Sequence, residues 1–158
     1  MKQKFEFEFE YYEQMESLIE SDASLLIAAR NATKTAFAPY SNFKVGAAAL
    51  LSNGQIVIGS NQESASYPVG ICAERTLLNS IGSQFSSETI LAMAISYDTD
   101  KAACNEPISP CGMCRQSLLD FENRYQSPIK IILGGKTGPI MVVAAAKNLL
   151  PFGFDGAI

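Results

Sequence analysis

Cys72 and Glu74 stand two positions apart in "GICAERTLL" (residues 70–78), and two more cysteines follow in "SPCGMCRQ" (residues 109–116). Thiolates are metal ligands and nucleophiles, and a carboxylate beside them can carry a proton. Cys111 and Cys114 are three apart, so at a helix start both sulfurs lie on one face and can grip a single ion. A Zn–S bond of ~2.3 Å in a tetrahedron puts neighbouring sulfurs about 3.8 Å apart, which C-x-x-C can meet. Cys72 would be the third ligand, from a different helix. On a helix shaft, positions 72 and 74 point different ways; at a helix end both can converge on a site that caps the axis. That end also carries exposed N–H groups and a partial positive charge, which favour a thiolate. Three protein ligands leave a fourth position open for water, the mark of a catalytic zinc, and Glu74 is then the group to accept that water's proton.

Other readings use the same residues. Cys111 and Cys114 could form a redox pair, which leaves Cys72 and Glu74 unexplained. Cys104 could be a fourth ligand and close the site into a structural zinc; otherwise it is a small buried or loop residue. The chain has no histidine, which excludes any imidazole base or ligand.

Composition narrows the class. The chain has 158 residues, 47% hydrophobic and 18% charged, enough for one globular domain with a proper core. Its net charge is −4 and its pI about 4.8. That argues against a polynucleotide ligand but not against a small neutral one. No apolar run approaches the roughly 20 residues of a membrane helix, and acidic residues interrupt the N-terminus "MKQKFEFEFEYYEQ". A cytoplasmic setting with reduced thiols is expected.

The elements that must position these groups can be read from periodicity. "KFEFEFE" alternates Phe and Glu as a strand does. Residues 12–37 lack Gly and Pro and predict one long helix or two shorter ones, ended by the turn cluster "APYSN". "FKVGAAALL" and "GQIVIGS" predict strands joined at Asn53-Gly54, where both residues tolerate positive φ. Residues 61–70 read as a polar loop, 71–81 as a helix, 90–97 as a strand, and 98–110 as a loop. A helix from about Cys111 to Tyr125, strands in "PIKIILGG" and "GPIMVVAA", and a short helix near 146–150 complete the pattern. Helices alternating with apolar strands predict an α/β domain whose sheet is covered on both faces.

The spacing C-x-E … P-C-x-x-C is the zinc-deaminase signature in its three-cysteine form. With "APYSNFKVGAA" (38–48), "NQESASY" (61–67) and "LLPFGF" (149–154), the chain from about residue 25 to 154 resembles the cytidine deaminase family in its small homotetrameric form. The resemblance implies a three-layer α/β/α fold with a mixed, roughly five-stranded sheet. It implies a single domain over 1–158, with residues 1–20 as an N-terminal extension that adds an edge strand, adds a contact between chains, or frays. One Zn²⁺ per chain would sit on Cys72, Cys111 and Cys114, with Glu74 as proton shuttle. Asn61 and Glu63 would bond the ribose hydroxyls, Phe43 would pack on the pyrimidine, and the Ala73 N–H would serve the base carbonyl. Tyr67 and Phe154 match aromatics that reach a neighbouring subunit's site, so the substrate is a small nucleoside and the sites are shared within a homotetramer.

The implied activity is hydrolytic deamination of cytidine or deoxycytidine in pyrimidine salvage. Open alternatives are a related aminopyrimidine nucleoside, of the blasticidin S type, and a non-catalytic zinc module. Pro68 and Gly70 depart from the family's more usual Gly and Thr beside the pocket. Charge raises one further demand. Zn²⁺ with three thiolates sums to −1, which weakens the metal as an acid. Two helix N-termini would compensate, and so would Arg75, whose counterpart in the family reaches the sulfurs.

Overall fold

The computed structural model describes residues 1–156. Its centre is a six-stranded sheet in the order β1-β6-β5-β4-β2-β3. The strands are β1 (Glu10–Tyr12), β2 (Lys44–Leu51), β3 (Ile56–Ser60), β4 (Ile90–Asp98), β5 (Lys130–Gly134) and β6 (Ile140–Val143). β4 and β5 are parallel, and every other neighbouring pair is antiparallel. Three helices flank the sheet: α1 (Glu20–Ala32), α2 (Ala73–Gln84) and α3 (Gly112–Tyr125).

Alternation along the strands sorts two cores. Ala47, Ala49 and Leu51 of β2, with Met93 and Ile95 of β4, pack against Leu77, Leu78 and Ile81 of α2 and Leu118 and Phe121 of α3. The intervening Ala48, Ala92 and Ala94 face Leu25, Leu26 and Ala29 of α1. Successive strand residues point to opposite faces, so one alternating run serves both layers. The result is the expected three-layer α/β/α arrangement. Small residues in β2 let α1 lie close: a Cβ on Gly46 would sit 2.1 Å from the Ala29 carbonyl oxygen.

Some details differ from the sequence expectations. The sheet has six strands rather than about five. The sixth, β1, lies at Glu10–Tyr12, not over the Phe-Glu alternation, because its partner β6 ends at Val143, next to the Glu10↔Val142 pair. Phe5, Phe7 and Phe9 are exposed. In place of the one long helix or two shorter ones predicted over 12–37 there is one helix, Glu20–Ala32, with single 3-10 turns at Met15–Ser17 and Thr33–Thr35. The Thr33 and Thr35 hydroxyls donate to the Arg30 and Ala32 carbonyls, offering the backbone an alternative to another helical turn. In the β2–β3 hairpin only Gly54 takes positive φ (+84°); Asn53 instead accepts the Gln55 N–H on its side chain. Among the described residues no helix is long and apolar enough to cross a membrane.

Candidate active site

The N-termini of α2 and α3 meet at one end of the sheet. Cys72 is the residue that caps α2 and Cys111 the one that caps α3, and each offers its carbonyl to the first helical bond (Thr76 N–H and Arg115 N–H). Cys114 lies one turn into α3 and is buried. The three sulfurs all lie within 4.8 Å of one another, and Cys111 Sγ and Cys114 Sγ are 3.6 Å apart. This donor set fits zinc: three soft ligands near the separation a tetrahedral site needs, flanked by two helix N-termini. A hydrogen bond from Cys114 pulls the Cys72 thiol down to about 6, and the same bond, with burial, pushes Cys114 up. Glu74 opposes the Cys72 thiolate through its charge, and Arg75 favours it.

Glu74 sits in the first turn of α2 and is buried. Burial pushes its pKa up, against hydrogen bonds from its own backbone N–H and from Cys114. The carboxyl therefore touches the sulfur cluster and opens onto the same cavity, of about 610 Å³, as Cys72 and Cys111. Arg75 is half-buried and does not line that cavity. It reaches Cys72 through its charge, with no hydrogen bond to a sulfur among the described residues. Cys104 is not part of the cluster; its sulfur accepts the Thr99 N–H at 3.3 Å.

The opposite wall comes from the ends of β2 and β3. The strip Asn61–Glu63 is zipped between two neighbours: Phe37 N–H donates to the Asn61 carbonyl, Glu63 N–H to the Phe37 carbonyl, and Gln62 and Ile71 exchange both backbone bonds at 2.9 Å. That pairing delivers Ile71, and so Cys72, beside N-x-E. The Asn61 side chain accepts the Val45 N–H at 2.8 Å and donates to the Phe43 carbonyl at 2.9 Å, which leaves one lone pair and one N–H for a ligand. Glu63 Oε2 accepts the N–H groups of Tyr40 (2.9 Å) and Ser41 (3.2 Å). A bond from the Ser41 hydroxyl, then those N–H groups and the Lys101 charge, hold its pKa below the usual carboxylate range, against burial. Phe43 is stacked on Tyr97 of β4, ring centroids 5.2 Å apart.

Tyr67 lines this same cavity, edge-on to Tyr40, and is 75% exposed. Phe154 does not reach it. Its backbone is bound by the Gln116 side chain on α3, and its ring is 74% exposed. The Ala73 N–H, first of α2, borders the cavity and donates to no protein acceptor among the described residues. Three contributors escaped sequence reasoning. Tyr97 underlies Phe43 only because Lys44 pairs with Asp98 across the sheet. Arg115 binds the Pro110 and Leu149 carbonyls at 2.8 and 2.9 Å, holding the residue before Cys111. Ser41, within "APYSN", bonds Glu63 through its N–H and accepts the Phe43 N–H on its hydroxyl, roles that spacing does not signal.

Comparison with known proteins points to one family. Residues 19–126 match the family model described as the cytidine and deoxycytidylate deaminase zinc-binding region. The chain belongs to the cytidine and deoxycytidylate deaminase family. It is 37% identical over 134 residues to the cytidine deaminase of Halalkalibacterium halodurans, covering 84% of this chain and 94% of that one. It is also 37% identical to the cytidine deaminase of Sporosarcina psychrophila, over 85% of this chain and 92% of the relative. Among solved structures, cytidine deaminase from Burkholderia pseudomallei aligns with a TM-score of 0.71 at 35% identity, covering 87% of this chain and all of that one.

Proposed function

We propose that this protein deaminates cytidine and deoxycytidine by hydrolysis, giving the uridine nucleosides and ammonia in pyrimidine salvage. The observation that carries it is a buried carboxyl, Glu74, beside a three-sulfur cluster, lining with Cys72 and Cys111 the same cavity as Phe43, Asn61 and Glu63. Cys72, Cys111 and Cys114 would hold one Zn²⁺. Bound there, zinc would supply the Lewis acidity that makes a water molecule acidic at neutral pH. Glu74 takes a proton from the attacking water and passes it to N3 of the base, which makes C4 electrophilic. Water oxygen adds at C4, Glu74 moves the second water proton to the exocyclic amine, and ammonia leaves. The Ala73 N–H holds the base carbonyl, Phe43 covers the ring, and Glu63 and Asn61 take the ribose hydroxyls through their unused acceptor and donor sites.

A nucleoside fits better than its phosphate. The cavity is lined by Glu63 and Glu74 and by no Lys or Arg, so a phosphoryl dianion would meet repulsion and no counter-charge. The exposed rings of Tyr40, Tyr67 and Phe154, with Val69 and Met113, support a homotetramer in which neighbouring copies cover the rim. The need for free thiols supports a cytoplasmic setting.

The test follows loss of cytosine absorbance with cytidine, deoxycytidine and their monophosphates, while zinc per chain is counted and mass is taken by light scattering. One zinc per chain, fast bleaching of both nucleosides and little reaction of the phosphates are expected. A zinc-loaded chain that bleaches neither nucleoside would end the proposal.

A further inference from the structure

The wall that carries Phe43 is a loop, residues 38–43, and a loop needs external bonds to hold an aromatic in place. This one closes on itself where the Asn42 N–H donates to the Ala38 carbonyl at 3.0 Å. Asn42 takes φ +58°, a conformation asparagine tolerates, and the Phe43 N–H donates to Ser41 Oγ at 2.9 Å. Glu63 grips the loop from the pocket side through the Tyr40 and Ser41 N–H groups. A second loop, residues 98–104 after β4, grips it from outside. Lys101 Nζ donates to the Ser41 carbonyl at 2.6 Å, and the Asn42 side-chain amide donates to the Asp100 carboxylate.

The outer loop is itself anchored. The Thr99 N–H donates to the Cys104 sulfur at 3.3 Å and the Lys101 N–H to Thr99 Oγ1 at 3.2 Å. The Cys104 carbonyl accepts the Thr137 N–H at 3.2 Å from the β5–β6 turn. That approach requires glycine at 135, where a Cβ would lie 2.4 Å from the same carbonyl oxygen. An unbroken set of contacts thus runs from the sheet, through the buried Cys104, to Lys101 and Asp100, and on to the substrate-facing loop.

We propose that Lys101, assisted by Asp100, is a positioning residue for nucleoside binding: it fixes the 38–43 loop so that Phe43 and Glu63 meet the base and the sugar together. This rests on the reading above that those two residues contact a nucleoside. Lys101 does not line the cavity and so takes no part in the chemistry. Ser41 is the point of leverage, since its N–H bonds Glu63 inside while its carbonyl bonds Lys101 outside. The ammonium also helps keep Glu63 ionised.

Lys101→Met and Lys101→Arg test this by steady-state kinetics with cytidine and by hydrogen exchange at residues 37–45, each in the zinc-loaded protein. Lys101→Met should raise KM about threefold to tenfold with kcat within about twofold, the loss expected for one charge-assisted bond near the surface. The amides of Tyr40, Ser41, Asn42 and Phe43 should exchange faster, and Lys101→Arg, which keeps a cationic donor, should restore most of both. Unchanged KM, unchanged exchange, or a fall in kcat at constant KM would each overturn the assignment. Wild-type protein without turnover would instead remove the functional reading, and the exchange comparison then decides the role of Lys101 alone.

Discussion

Three glutamates in this chain show how position sets the chemistry of one side chain. Glu74 is buried at the start of α2, where desolvation raises its pKa toward the range of a proton carrier. Glu63, bonded by Ser41 and by backbone N–H groups, stays ionised and is suited to accept hydrogen bonds. Glu122, also buried, accepts the N–H groups of Ile129, Ala146 and Lys147 at 2.7, 2.7 and 3.0 Å, joining the end of α3 to β5 and to the 3-10 turn Ala146–Leu149. Of the three, only Glu74 lies beside the cysteine cluster, as the proposed proton shuttle requires. Glu74→Ala should therefore keep one zinc and bind nucleoside, yet lose turnover by about a thousandfold or more, measured as kcat at matched zinc content. Arg75 acts at one remove. A metal held by three thiolates would carry excess negative charge, and Arg75 already favours thiolate at Cys72. Arg75→Gln should retain the fold and most of the zinc while slowing kcat roughly tenfold. Wild-type turnover in that variant, zinc for zinc, would refute the compensation argument.

At the scale of elements, two helix N-termini make the site, and the sheet sets how close they come. α2 lies directly on β3 at Gly59, where a Cβ would sit 2.7 Å from the Ala73 carbonyl oxygen and 2.7 Å from the Leu77 nitrogen. Both are helix backbone and cannot swing aside as a side-chain tip would. Gly59→Ala should destabilise the fold by about 1–3 kcal/mol and lift the end of α2 that carries Cys72 and Glu74. Denaturant melts and a zinc titration would detect the two effects, and a normal midpoint with normal zinc affinity would contradict the close-contact account. The helix starts expected at 71 and near Cys111 fall within two residues of those observed, Ala73 and Gly112, because turn residues and cysteine spacing mark them. The limits of α1 were not legible, because Leu18 and Ile19 carry the apolar pattern of a helix but extended backbone, ψ 154° and 151°.

For the whole molecule, the sulfurs Cys72, Cys111 and Cys114 come from two helices about forty residues apart in sequence, so a zinc held by them would tie together segments that the chain does not connect locally. Removing it with a chelator should abolish deamination and lower the melting temperature by roughly 5–10 °C, if the metal is otherwise present at about a hundredfold excess over its dissociation constant. One equivalent of zinc should restore both. Full activity after complete removal would separate the cysteine cluster from the chemistry.

The residue types and spacings of C-x-E and P-C-x-x-C were enough to read a three-sulfur metal site with a carboxyl beside it, because helix starts converge side chains over two to four positions, a local matter. Alternating strands and their two faces were equally local. What the folded chain alone decided was everything that depends on pairing between distant strands: the stacking of Tyr97 under Phe43, the placing of β1 against β6, the gripping of one loop by another through Lys101, and the exposure of Phe154 away from its own cavity. Periodicity reports which face a residue occupies; it carries no information about register, and register brings these groups together.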